Sequence, residues 1–439
     1  MIAPRSALLI VAALVMLPGL TLLIAVPSLA AVAVLVLLLF LLVIMFDAWF
    51  MQPALSSIRI SLPEVIRLSK GRDGSIEVRL TNERSDQLQF RIGFPFSPEV
   101  GVTENKFDIV LPPASTQVLT ISCRPKERGR FLLSKCYLQK PSRLRFWNLR
   151  QVIALKSELR VYPDLITGRR KVAAIFLPHG RFGFRQHRQL GKGREFEKLR
   201  EYISGDGVED IHWKATAKRG RPVTKVYQIE RTQEVYVIID SSRLSARMLG
   251  DMSILERFIT AGLILCLAAA KQSDLFGLVT FSDKTHRFIR AKNGKTHYDA
   301  CRDALYTLQP ESVTPDFQDL FASLRLRLRR RALLIFLTSL DDPVLGNSFL
   351  EHLNLLTRQH LVLVSMIQPK EARPLFAGER PTEVDAIYSR LGGHLLWGDM
   401  QEIRKRLQRL GVEFSMVQSD QLAAETVSRY FKVKQRQLL

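Results

Sequence analysis

Two residues stand where the chain is best placed to hold a ligand. Val235 to Ile239 form a short β-branched and aromatic run that reads as a buried strand, and it stops at Asp240, Ser241 and Ser242. Open α/β sheets bind ligands outside the carboxyl ends of their strands, so Asp240 and Ser242 occupy the natural site position. The plain reading of Asp240 is a cap or a hydrogen-bond acceptor at a strand end.

A second group lies upstream. His212, Trp213 and Lys214 have Asp210, Glu209 and Asp206 close by, which invites an acid–base reading. No Ser or Cys nucleophile stands in a recognisable setting, and a buried Trp beside a His is the structural expectation. Lys218, Arg219, Arg221 and Lys225 could hold phosphate, or could pair with Glu195, Glu197 and Glu201. The arginines of Leu324 to Arg331 fall at the end of a helix whose apolar face is Phe317, Leu320, Phe321, Leu324 and Leu328, where the dipole favours cations. Residues 166–194 are rich in Gly and Arg and read as a linker. Their Gly spacing is not that of a phosphate-binding loop. The four cysteines, Cys123, Cys136, Cys266 and Cys301, lack metal-ligand spacing. Cys123 and Cys136 could face each other across strands, but free thiols in a reducing compartment fit better.

The elements that must position these residues follow from periodicity. From 235 onward, strands alternate with helices: 275–281, 332–338, 361–367 and 412–417 are apolar runs, with 285–289 as an edge strand. Ser253 and Glu256 form a capping box that opens a helix. Helices are predicted at about 296–308 and 315–329, with Thr314 as N-cap and Pro315 at the first helical position. A further helix is predicted to end near Gly392 and Gly393, and another to cover 400–410. This alternation predicts a mainly parallel sheet with helices on both faces. Residues 51–165 carry short alternating strands between turns, the pattern of a β-sandwich.

The N-terminal 50 residues are different. Residues 7–26 and 29–46 are apolar and separated by Pro27 and Ser28. A span needs about 20 such residues, so the pair reads as a hairpin crossing a membrane twice. Asp47, Trp49 and Phe50 mark the interface. A signal peptide would be shorter and would not be followed at once by a second span. Arg5 lies at one end of the hairpin, and Arg59, Arg67, Lys70 and Arg72 follow the other. The positive-inside bias then puts everything after residue 50 in the cytoplasm. The chain has 439 residues and a net charge of +22. Beside an anionic inner-membrane lipid surface that charge needs no nucleic acid, and none is expected as a partner.

The stretch EFEKLREYISGD, then DIHWKATAKRGRPVTK, then the strand ending in Asp240, resembles the signature of the bacterial domain-of-unknown-function 58 (DUF58) family. Its signature residues here are Glu195, Arg200, Tyr202, Gly205, Asp206, Asp210, His212, Trp213, Lys214, Ala217 and Arg219. Arg128 with Gly129, and Val161-Tyr162-Pro163, resemble the family's N-terminal half. The resemblance implies a von Willebrand factor A-like α/β domain over 235–439, preceded by a linker and signature arm over 166–234. It also implies association with a MoxR-type AAA+ ATPase. A-like domains often bind Mg²⁺ through Asp-x-Ser-x-Ser, a loop Thr and a later Asp. Asp240, Ser242 and Thr314 match; Leu244 and Ser339 depart, so the site is degenerate.

The expectation is therefore a membrane-anchored, non-enzymatic adaptor with no required cofactor. It would present Asp240, Ser242, Thr314 and Ser339 to a partner. A Mg²⁺-dependent ligand-binding module is the alternative, and a basic nucleic-acid-binding protein or nuclease ranks last.

Overall fold

The structure is a computed structural model that describes residues 2–25, 30–49, 55, 57–165, 190–204, 206–228, 233–377 and 384–436. The chain forms two compact units, Met1–Asp164 and Leu165–Leu439.

The first unit begins with a short strand β1 (Ile2–Pro4) and two helices, α1 (Ser6–Ala25) and α2 (Ala30–Trp49). Both helices are long and apolar enough to cross a membrane. Their side chains face outward rather than into a core: Leu14 is 73% exposed and Leu35 66%. A buried core helix would show the opposite, so this apolar surface associates the protein with a membrane. The helices approach each other at Gly19, where an added Cβ would lie 3.1 Å from Leu37, as small residues allow between apolar helices. Pro27, Ser28 and Phe50 lie outside the described residues.

The rest of this unit is strand-rich: β2 (Ile58–Ser61), β3 (Val65–Ser69), β4 (Gly74–Asn82), β5 (Leu88–Gly93), β6 (Lys106–Leu111), β7 (Thr116–Cys123), β8 (Gly129–Pro141) and β9 (Trp147–Tyr162). One sheet runs β1-β9-β8-β5-β6, with β3 also on β9; the other runs β2-β4-β7. Strand β4 alternates, with Ile76, Val78 and Leu80 fully buried between exposed residues. These side chains join Phe90, Ile92, Cys136 and Leu159 of the other sheet in one core. Side chains of the two sheets thus meet in one interior. Cys123 and Cys136 lie in different sheets, and all four cysteines are free and buried.

The apolar helices are tied to this sheet. The Arg5 N–H donates to the Phe146 carbonyl at 2.9 Å, and the Trp147 indole donates to the Ile44 carbonyl at 3.1 Å. Asp47, expected at a wet interface, is 6% exposed and accepts from the Leu144 N–H at 3.2 Å. Trp49, by contrast, is 81% exposed.

The second unit opens with an antiparallel hairpin of β10 (Leu190–Glu201) and β11 (Val223–Gln228), interrupted by helix α3 (Trp213–Arg219). Then follow β12 (Glu234–Asp240), the short pair β13 (Met248–Leu249) and β14 (Met252–Ser253), α4 (Ile254–Lys271), β15 (Leu275–Phe281), β16 (Thr285–Lys292), α5 (Lys295–Leu305), α6 (Phe317–Arg327), β17 (Ala332–Leu337), α7 (Pro343–Thr357), β18 (Leu361–Ile367), α8 (Val384–Arg409), β19 (Glu413–Val417) and α9 (Leu422–Gln435). The main sheet has the order β16-β15-β12-β17-β18-β19. It is parallel from β15 to β19 and antiparallel only at the edge strand β16.

Both faces of β12 are buried, which explains its unbroken apolar run. Tyr236 and Ile238 pack with α6, α7 and α8; Val235, Val237 and Ile239 pack with α4, α5 and α9. Ser253 caps α4 by accepting from the Glu256 N–H, as the capping box predicts. Two helix boundaries differ from expectation. Asp316, not Thr314, caps α6, accepting from the Asp319 N–H at 3.1 Å. Helix α8 runs straight through Gly392 and Gly393. A Cβ on Gly393 would lie 2.1 Å from the Glu371 carbonyl, so this glycine admits a passing backbone rather than ending the helix.

Candidate functional site

From β12 the chain turns back beside it to β15, and later returns to β17 on its other side. The order therefore reverses at β12, and Asp240 ends that strand at the switch point. The sequence placed Asp240 there correctly. Its side chain, however, has no exposed surface. Oδ1 accepts from the Ser242 N–H at 2.8 Å, and Oδ2 from the Thr338 hydroxyl at 2.7 Å. Burial pushes the Asp240 carboxyl up, against the opposing pull of Thr338, Ser242 and, more weakly, Arg247. Ser242 is also buried, and its hydroxyl accepts from the Leu244 N–H at 3.4 Å. Ser339 is 2% exposed. Thr314 is exposed and accepts from Arg243 Nε at 3.3 Å.

These residues do not fit a Mg²⁺ site as they stand. The one carboxylate already accepts on both oxygens, and Ser339 adds no second charge. A cation is supplied instead by Arg247, which donates to Asp341 Oδ1 at 3.0 Å and to the Leu244 carbonyl at 3.0 Å. Nor can Asp240, Ser242 and Ser339, being buried, form the surface expected to meet a partner.

The signature arm shows the reverse. His212 is the N-cap of α3: its Nδ1 accepts from the Ala215 N–H at 3.0 Å. An imidazole fixed in this way holds a helix end, which is a structural duty. Trp213, expected to be buried, is 66% exposed, with Ile203 at 60% and Val208 at 65% on the same insertion. Tyr202 is also exposed, and its N–H donates to the Pro222 carbonyl at 3.0 Å. Arg200 and Asp206 pair at 2.6 Å, and Asp206 also accepts from the Ile203 N–H at 3.1 Å. That backbone bond, with help from Arg200, holds the Asp206 carboxyl below its usual range. Arg221 pairs with Glu201 at 2.8 Å. Lys214, Ala217 and Arg219 lie on the exposed side of α3, and Asp210 ends the short turn before His212. Glu195 lies on β10, with its side chain outside the described residues; Gly205 lies outside them altogether. The signature residues thus knit a small module and leave its apolar tips open.

One grouping escapes a sequence reading. Asp283, His286 and Glu311 converge at the carboxyl end of β15. Asp283 and His286 are three residues apart across a turn, but Glu311 arrives from a loop 25 residues further on, and only the fold joins them.

The model of the family described as "Protein of unknown function DUF58" matches residues 198–379. A search of curated proteins finds no match. Solved chains similar to this one include the SpRpn10 VWA domain, with 10% identity, 45% of this chain and 95% of that chain covered, and a TM-score of 0.31. Another is the conserved hypothetical protein BatB from Bacteroides thetaiotaomicron (16% identity, 46% and 99% covered, TM-score 0.30). A third is an aerotolerance-related membrane protein from Bacteroides fragilis (14% identity, 46% and 98% covered, TM-score 0.28). The model thus matches residues 198–379 to the family that the chain's signature residues resemble.

Proposed function

We propose that this protein is a membrane-anchored, non-enzymatic adaptor whose signature arm docks a partner protein. The observation that carries this reading is the exposure of Ile203, Val208 and Trp213 on a module whose polar residues are spent on holding it together. Tryptophan presented on a capped helix is the kind of anchor that dominates protein interfaces. The docking surface is thus the arm rather than the sheet rim around Asp240. By family resemblance the partner is a MoxR-like AAA+ ATPase. The hairpin α1–α2 crosses the bacterial inner membrane twice, with both units cytoplasmic and their basic surface facing anionic lipid.

The test is affinity purification of the full-length protein from detergent extract, beside a Trp213→Ala variant. The reading requires an AAA+ ATPase with the parent chain and its loss with the variant. An extract yielding no AAA+ protein, or turnover of a small substrate that disappears on altering His212 or Asp240, would overturn it.

A further inference from the structure

We propose that Asp283, His286 and Glu311 form a binding site for a first-row divalent transition ion of the Zn²⁺ type, on the rim of the main sheet beside β12. The site is separate from Asp240 and from the arm, and it does not depend on the adaptor reading.

The first argument is convergence on one point. The Ser282 hydroxyl, fully buried, lies 2.9 Å from Asp283 Oδ1, 2.6 Å from His286 Nε2 and 3.0 Å from Glu311 Oε2. A hydroxyl has one proton and can donate to only one of the two carboxylates. If the imidazole donates to the oxygen and the hydroxyl donates to Asp283, Glu311 faces a lone pair. A cation in place of the Nε2 proton would take one lone pair from the imidazole and one from each carboxylate.

The second argument is spacing. His286 Nε2 lies 3.3 Å from Glu311 Oε2 and 3.9 Å from Asp283 Oδ1, and all three donor atoms fall within 4.8 Å of one another. Tetrahedral ligands at about 2.1 Å from a zinc ion stand roughly 3.4 Å apart, so closing the set needs only small side-chain movements. These atoms cannot serve a Ser-His-acid triad. Both carboxylates lie on the same ring nitrogen as the serine, whereas a triad needs the acid on the other one.

The third argument is the frame. Ser282 follows β15 directly, and its carbonyl accepts from the Asp316 N–H at 2.9 Å. His286 lies on β16, paired to β15 through Thr280–Arg287 and Phe281–Thr285. Glu311 is fixed by its N–H to the Ser241 carbonyl at 2.7 Å. Donors carried on paired strands and pinned loops hold their geometry. Solvent reaches the site from one side, since Asp283 is 48% and Glu311 47% exposed while His286 is 21%. Three protein ligands with an open side leave room for water or a ligand in the fourth position. The imidazole directs the choice of ion to Zn²⁺ and its neighbours over Mg²⁺ or Ca²⁺.

The test uses the full-length protein in detergent, stripped with chelator and dialysed against micromolar ZnCl₂ or MgCl₂, with metal content read per chain. One zinc per chain is expected, with a raised Tm, and no magnesium. His286→Gln, and separately the double change Asp283→Asn with Glu311→Gln, should each weaken zinc retention at least about tenfold while leaving the metal-free Tm near that of the parent. Asp240→Asn should retain zinc. Co²⁺ should give visible absorption bands in the parent that His286→Gln lacks. No zinc at micromolar concentration, or zinc held equally by the His286→Gln and double variants, would leave a simple His–carboxylate ion pair and overturn the proposal.

Discussion

The hydroxyl of Thr338 donates to Oδ2 of Asp240 at 2.7 Å, across the point where the main sheet reverses its order. The two residues are 98 positions apart and both are fully buried. Where an open sheet would leave a crevice for a ligand, this one closes it with a side-chain hydrogen bond. Thr338→Val keeps the shape and removes the donor, leaving a buried carboxylate oxygen unpaired. The expected loss is about 1–3 kcal/mol. It is read from thermal unfolding of the full chain in detergent, and an unchanged Tm would show that Asp240 finds another donor.

Asp240 also carries a pH signature. Its carboxyl is raised above the ordinary range, chiefly by burial. The native state therefore takes up this proton at a higher pH than the unfolded chain does. Keeping the group charged costs stability above the raised native value. That cost fades as pH falls through it towards about 3.9, the ordinary value. The stability of the parent relative to Asp240→Asn should increase on acidification through this window. A constant difference would mean that the carboxyl titrates alike in both states.

A second buried acid holds the last helix. Asp274 accepts from the Gln233 N–H at 3.3 Å, from Lys434 Nζ at 2.7 Å and from the Tyr430 hydroxyl, and its side chain is 1% exposed. Asp274→Ala leaves the buried Tyr430 phenol without its acceptor and Lys434 with only the Gln272 carbonyl, at 3.2 Å. It should cost about 3–5 kcal/mol, the range for breaking a buried pair from one side. Tyr430→Phe removes one partner only and should cost about 1 kcal/mol. Hydrogen exchange should show the loss first in α9.

The two glycines of α8 separate intrinsic propensity from packing. Nothing lies within 4 Å of a Cβ built on Gly392, whereas one on Gly393 would collide with the Glu371 carbonyl. Gly392→Ala should stabilise the helix by about 0.5–1 kcal/mol. Gly393→Ala should destabilise by about 1–3 kcal/mol, because backbone cannot move aside cheaply. Equal Tm values for the two variants would remove the close approach from the account.

The sequence by itself determined what depends on short-range pattern. Alternation in β4, the unbroken apolar run of β12, the Ser253–Glu256 box and the length of α1 and α2 each follow from residues a few positions apart. Those signals also placed Asp240 at a strand end, and the edge position of β16 was legible in the same way. Tertiary structure alone decided whether Asp240 is open, because Thr338 closes it from another strand. It decided that Gly393 lies inside a helix, because Glu371 passes there. It decided that Trp213 faces solvent, because the arm pairs with itself, β10 on β11, and its own polar contacts leave that ring uncovered. It brought Glu311 to Asp283 and His286 through the order of strands. In each case the deciding atom comes from a residue many positions away in the chain. Local periodicity fixes which face of an element is apolar, but not which distant group will meet it.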